Sequence, residues 1–190
     1  MDILISGVGG QGTILASKIL ACAMMLDGHN ARTGETIGMS QRGGCVVSHV
    51  RSDAKSPYIP LGKADMLLSF ELCEGARNLP FLKKGGVAVI NTAKITPLTV
   101  ALGASTYDED AIRAAITARS DAHFIDANAA AAEIGSVKAV NTLLVGAACG
   151  LGLLDIRRES ILEAIRMNVA PKFHELNERA FAAGEALVRK

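Results

Sequence analysis

Asp2-Ile3-Leu4-Ile5-Ser6-Gly7-Val8-Gly9-Gly10-Gln11-Gly12-Thr13 opens the chain, and the reading of this stretch decides the fold. Asp2–Ser6 is a short apolar run that predicts a buried strand. Gly7–Gly12 is a glycine-rich turn. Thr13–Leu26 places Ile14, Leu15, Lys18, Ile19, Cys22 and Leu26 near helical spacing, and Asp27-Gly28 ends the helix as a glycine after a last turn does. Strand, glycine turn and helix in this order open a doubly wound fold.

Working outward, the second strand is weak, Asn30–Thr33 at most, and a polar loop, Gly34–Gly44, follows it. Cys45–Arg51 is a Val-rich strand. Ser52–Lys63, with Pro57, Pro60 and Gly62, reads as an irregular connection. Met66–Phe70 predicts another buried strand, Glu71–Leu82 a helix broken at Pro80, and Val87–Asn91 a strand after the Gly85-Gly86 turn. A short helix follows Pro97. Asp108–Arg119 is helical, its acidic start suiting the positive end of the dipole. A short strand, Ala122–Ile125, precedes helices over Ala127–Ile134, Ala139–Gly150, Glu159–Met167 and Pro171–Arg189. The pattern predicts one α/β domain over residues 1–190: a Rossmann-like, mostly parallel sheet flanked by helices, with a helical C-terminal part.

Composition narrows the partners. Of 190 residues 49% are hydrophobic but only 4% aromatic, with no Trp, so the core is built from Ala, Val, Ile and Leu. Twenty basic against nineteen acidic residues leave a formal charge of +1, without the basic excess that phosphate neutralisation on nucleic acid needs. Cys22, Cys45, Cys73 and Cys149 are far apart and form no C-x-x-C pair, so neither a zinc site nor a four-Cys cluster has its signature. They read as buried, reduced thiols of a cytoplasmic protein. Ile14–Leu26 lacks the basic lead-in of a signal peptide, and Ala139–Leu154 is too short to span a bilayer.

Gly7-x-Gly9-x-x-Gly12 is the sharpest local signal. Glycines there allow a tight turn and let a phosphate approach backbone N–H groups at a helix start. They equally allow close packing of strand and helix, and both readings stay open. A nicotinamide or flavin dinucleotide also wants an acid at the end of the second strand. Asp27 comes too early for that and Glu35 too late. The candidate ligand contacts are Gly9, Gly10, Gln11 and Gly12, with Ser40, Gln41 and Arg42 of the following loop. Arg42 beside Gly43-Gly44 suits an anion or a subunit interface, or the loop is a solvated turn. No catalytic residue and no metal ligand stands out. His49 lacks a nucleophile or carboxylate partner and reads as structural. Glu71 and Glu74 suit a helix N-terminus better than an acid–base pair, and Asn91 and Asn141 read as satisfied amides.

Taken together, GVGGQG at Gly7–Gly12, ETIGMSQRGG at Glu35–Gly44 and CVVSHVR at Cys45–Arg51 resemble the gamma module of the 2-oxoacid:ferredoxin oxidoreductases. The likeness continues through SPYIP, GKADMLLSFE, LKKGGVAVINT and VNTLLVGA, so it covers nearly the whole chain. The form GMSQRGG resembles the indolepyruvate branch. The resemblance implies a small subunit of an oxidoreductase that decarboxylates an aryl 2-oxoacid, passes electrons to ferredoxin and yields an acyl-CoA. It implies that thiamine pyrophosphate, Mg and 4Fe-4S clusters sit on a larger partner subunit, that coenzyme A is the co-substrate, and that this chain alone is inactive. The alternatives are a gamma subunit acting with pyruvate or 2-oxoglutarate, and a free-standing nucleotide-binding protein. No nucleic-acid or membrane partner is expected.

Overall fold

In the computed structural model, which describes residues 1–38 and 44–189, the opening unit forms as its pattern predicts. β1 (Asp2–Val8) runs into the glycine turn, and α1 (Thr13–Leu26) leaves it. The chain then forms β2 (Ala31–Ile37), β3 (Cys45–Ser52), β4 (Ala64–Ser69) and α2 (Leu72–Asn78), and a 3-10 turn at Leu79–Phe81 contains Pro80. β5 (Leu82–Asn91), α3 (Leu98–Ala101), α4 (Glu109–Arg119), β6 (Asp121–Ile125) and α5 (Ala127–Glu133) follow. A 3-10 turn at Val137–Ala139 leads into α6 (Val140–Gly150). α7 (Arg158–Asn168), a further 3-10 turn at Pro171–Phe173 and α8 (His174–Val188) complete the described chain.

The six strands lie in the order β2-β3-β1-β4-β5-β6. Pairings β1/β4, β4/β5 and β5/β6 are parallel, whereas β3 runs antiparallel to both β1 and β2. The expected α/β fold is therefore present, with the parallel part on one side of β1 and an antiparallel pair on the other.

Two local expectations are corrected. The second strand spans seven residues rather than four, because β2 pairs with β3 along its whole length, from Ala31↔Ser52 to Ile37↔Val46. Gly34 is thus not a turn residue. A Cβ there would come 3.1 Å from the Tyr58 ring and 3.2 Å from Pro57, so the glycine admits the connection that covers this end of the sheet. β5 also starts earlier, at Leu82. Its Gly85 and Gly86 fall where the register with β4 shifts between Ala64↔Leu82 and Met66↔Val87, and Gly85 absorbs the irregularity at φ 73°.

Alternation along the strands sends side chains into two cores. Ile3, Ile5, Met66 and Leu68 meet Ile19, Leu20, Leu143, Leu144 and Phe181 under α1, α6 and α8. Leu4, Leu67, Ala88 and Ile90 meet Leu72, Leu79 and Ile116 under α2 and α4. Each such Leu, Ile, Met or Phe side chain stabilises the fold by roughly 1.5–3 kcal/mol relative to exposure. The parallel strands all end at one edge of the sheet. That edge carries the glycine turn, Glu71, Asn91 and Asp126, where open α/β sheets place their ligands.

Candidate functional site

The glycine turn is braced by its own glutamine. Gln11 Oε1 accepts the Val8 N–H at 2.7 Å, and Gln11 Nε2 donates to the Phe70 carbonyl at 3.1 Å. Gly7 lies so close beneath that a Cβ would stand 2.8 Å from Gln11 Oε1 and 3.0 Å from Phe70 Cβ. Gly10 and Gly12 adopt φ 94° and 87°, which only glycine does without strain. Gly9 N–H donates to the Gly44 carbonyl at 2.9 Å, tying the turn to the residue before β3. Ser40, Gln41 and Arg42 lie outside the described residues.

A cavity of about 470 Å³ opens above the turn, lined by Gly10, Gln11 and Gly12 on one side and by Asn128, Val137, Lys138, Val140 and Asn141 on the other. Two helices of eleven or more residues begin at its walls, α1 at Thr13 and α6 at Val140. Both dipoles favour negative charge there; no side chain caps α1, whereas the Thr142 N–H in the first turn of α6 is already held by Asn141. Asn141 is 4% exposed. Its Oδ1 accepts the Thr142 N–H at 2.8 Å, and its Nδ2 faces Gly12, 2.7 Å from where a Cβ would stand. Lys138 adds a cation. A second hollow, of about 710 Å³, lies at Gly150, Leu151 and Leu187–Arg189 beside β6. Helices α6 and α8 end there, so their dipoles favour positive charge.

Four of the expected contacts, Gly9, Gly10, Gln11 and Gly12, thus form one turn, and three of them line the cavity. Asn128 and Lys138 have no counterpart among the expected contacts, and Asn141, expected only as a satisfied amide, lines the cavity with them. Only Asn128 carried a signal, at the start of the helix that follows β6; Lys138 and Asn141 carried none.

The remaining polar residues build the edge. Asn91 Nδ2 donates to the Phe70 carbonyl (3.1 Å) and to Asn128 Oδ1 (2.9 Å), while its Oδ1 accepts the Ala127 N–H (3.1 Å). Glu71 caps α2 by accepting the Glu74 N–H at 2.8 Å, and it holds the connection after β5 through Ile95 N–H (3.2 Å) and the Tyr107 hydroxyl (3.1 Å). Burial and the Glu71 carboxylate push the Tyr107 phenol up, so it remains a donor. Burial pushes Glu74 up against the opposing pull of Arg77. Glu71 is thus the cap of α2 and Glu74 a first-turn acid paired with Arg77. His49 packs edge-on against Tyr58 and Phe81, and its Nδ1 accepts the Ile59 N–H at 3.2 Å. The thiols are less buried than expected: Cys22, Cys73 and Cys149 are half-buried and Cys45 is exposed.

Comparison with known proteins agrees with the fold and the motifs. Residues 2–187 match the family described as pyruvate ferredoxin/flavodoxin oxidoreductase. The chain is 38% identical over 188 residues to the indolepyruvate oxidoreductase subunit IorB of Thermococcus kodakarensis, covering 96% of this chain and 93% of that one. It is 39% identical to the subunit of the same name from Archaeoglobus fulgidus, covering 97% and 93%. Among solved structures it resembles the keto/oxoacid ferredoxin oxidoreductase gamma subunit of Geobacter sulfurreducens, with a TM-score of 0.72, 26% identity and coverage of 98% and 97%.

Proposed function

This chain belongs to the pyruvate ferredoxin/flavodoxin oxidoreductase family, and on that premise we propose that it is the small subunit of a cytoplasmic indolepyruvate:ferredoxin oxidoreductase. The observation that carries the substrate class is the 38–39% identity, over nearly the full length of both chains, to subunits that bear the indolepyruvate name. The sequence GMSQRGG before β3 points the same way. Pyruvate and 2-oxoglutarate are the alternatives that the assay below separates.

The thiamine pyrophosphate, its Mg ion and the 4Fe-4S clusters belong to a larger partner subunit in this reading. Among the described residues no group of three or more His, Cys, Asp or Glu side chains is placed to hold a metal ion. The four cysteines stand on four separate elements, α1, β3, α2 and α6, and do not suit a cluster. What this chain supplies is a binding surface. The cavity above Gly10–Gly12 offers the uncapped N-terminus of α1, the dipole of α6, the Asn141 amide N–H and Lys138, which together suit a phosphate. Coenzyme A is the phosphate-bearing co-substrate of the reaction, and the cavity is assigned to one of its phosphate groups. Held there, coenzyme A would be tethered by a part remote from its thiol, leaving the thiol free to accept the acyl group at the partner's thiamine.

The test is co-expression with the large subunit and assay of oxoacid- and coenzyme A-dependent dye reduction. Indolepyruvate is expected to give the highest kcat/KM among aryl and short-chain 2-oxoacids, and the small chain alone to show no turnover. Preference for pyruvate or 2-oxoglutarate would move the chain to a sister enzyme. Turnover by the small chain alone would end the accessory-subunit reading.

A further inference from the structure

We propose that Asn91 is a positioning residue: its buried amide fixes which end of the Asn128 side chain faces the cavity, so that Asn128 and Asn141 both present N–H donors to the bound ligand. The inference rests on the reading of that cavity as an anion subsite.

The orientation follows from the backbone outward. Asn91 is 0% exposed. One end of its amide faces the Ala127 N–H at 3.1 Å, which can only donate, and the other faces the Phe70 carbonyl at 3.1 Å, which can only accept. Turning the amide over would break both bonds and set N–H against N–H and oxygen against oxygen in a site without water access. The second proton on Asn91 Nδ2 is therefore committed to Asn128, 2.9 Å away, which must offer its oxygen. That leaves the Asn128 Nδ2 group for the cavity that Asn128 lines.

Asn141 is fixed in the same sense by a different backbone group. The Thr142 N–H holds its oxygen at 2.8 Å, and its Nδ2 stands against Gly12 at the cavity wall. Gln11, the other amide at the site, has both ends engaged with backbone. With Lys138 added, the side-chain groups offered to the ligand are all donors. Such a site matches a ligand group made only of acceptors, a phosphate, and repels a cation. The Phe70 carbonyl links the two halves, since it accepts from both Gln11 and Asn91.

The experiment uses the complex of this chain with its large subunit and compares Asn91→Ala, Asn128→Ala and the double variant. The readouts are KM for coenzyme A, KM for the oxoacid, and inhibition by inorganic pyrophosphate as an acceptor-only probe. Asn128→Ala is expected to raise KM for coenzyme A roughly ten- to hundredfold, the loss of one hydrogen bond to a charged group, and to weaken pyrophosphate inhibition in step. Asn91→Ala is expected to do the same, with KM for the oxoacid unmoved. The double variant should match Asn128→Ala alone, because Asn91 acts through Asn128. If Asn128→Ala weakens both ligands and Asn91→Ala weakens neither, or if the two effects multiply, the positioning role is overturned while the anion subsite stands. If neither Asn128→Ala nor Lys138→Ala alters either ligand, the anion subsite falls and this inference with it. Asn91→Ser replaces Asn91→Ala should the latter not assemble. Failure of both to assemble would make Asn91 a folding residue and overturn the proposal.

Discussion

Gly146 of α6 and Gly184 of α8 each lie against the other helix's backbone: a Cβ on Gly146 would overlap the Phe181 carbonyl, and one on Gly184 the Leu143 carbonyl. The two helices therefore touch main chain to main chain, and Leu143, Leu144 and Phe181 are fully buried around the contact. α6 is the helix whose first turn carries Asn141 to the cavity. On helix propensity alone, Gly184→Ala should stabilise by roughly 0.5–1 kcal/mol. The overlap reverses the sign. We expect Gly184→Ala to lower stability by about 1–3 kcal/mol or more, because the helices must separate. Urea unfolding of the assembled complex and its variant measures this. A variant as stable as the parent would show that the helices have room to spare.

His49 gives a pH dependence with a defined sign. Burial first, and the neighbouring Arg51 second, hold its imidazole below the ordinary value of 6.5. A histidine whose folded pKa is depressed binds fewer protons folded than unfolded, so its contribution is constant above pH 6.5 and stability falls as pH drops below it. Protonation would also turn Nδ1 from an acceptor of the Ile59 N–H into a competing donor. Thermal melting at pH 7.5 and at pH 5.5, roughly a unit either side of the free imidazole value, should show a larger drop for the parent than for His49→Gln. Equal drops would place the acid sensitivity on other groups.

Ser48 is the counterpart on the other face of β3. Its hydroxyl is fully buried and has no hydrogen-bond partner among the described residues. An unpaired buried hydroxyl costs about 1–3 kcal/mol. Ser48→Ala is therefore expected to raise stability by about 1 kcal/mol, seen as an upward shift in melting temperature. Destabilisation by that amount would mean that the hydroxyl has a partner in the assembled enzyme.

Local chemistry made much of this legible in advance. Thr13–Leu26 was readable to the residue, because an apolar face begins at a glycine turn and ends at Asp27-Gly28. Glu71 and Asp108 were readable as helix-start acids, and both cap their helices. What failed did so for long-range reasons. Gly34 and the polar run Glu35-Thr36 look like a loop and hide the second half of β2; pairing with the antiparallel β3 and the packing of Pro57 and Tyr58 on Gly34 keep the strand extended. The cavity was half legible. Its glycine side announces itself by motif, whereas Asn128, Lys138 and Asn141 come from more than a hundred residues away. Tertiary packing of α5 and α6 brings them together, and no local spacing encodes it.

The contrast between Gly10 and Gly12 separates packing from binding at the turn. Both have positive φ, so alanine at either costs roughly 1–2 kcal/mol of backbone strain. A Cβ at Gly10 meets nothing within 4 Å, whereas one at Gly12 falls 2.7 Å from Asn141 Nδ2 and 3.3 Å from its Cγ. Gly10→Ala should therefore lose only the strain energy and place its methyl in or beside the cavity that Gly10 lines. Gly12→Ala should lose more stability and also displace the Asn141 amide. Both are expected to raise KM for coenzyme A more than KM for the oxoacid, Gly12→Ala by the larger factor. Removing the obstacle sharpens the distinction. In the double variant Gly12→Ala, Asn141→Ala the clash is gone, so melting temperature should recover toward that of Asn141→Ala. Affinity for coenzyme A should not recover, because the donor is gone too. Stability and KM recovering together would mean that the Asn141 amide only fills space. If Gly10→Ala melts within the strain cost and its coenzyme A dependence equals the parent's, the glycines serve strand–helix packing alone and coenzyme A is held by the partner subunit.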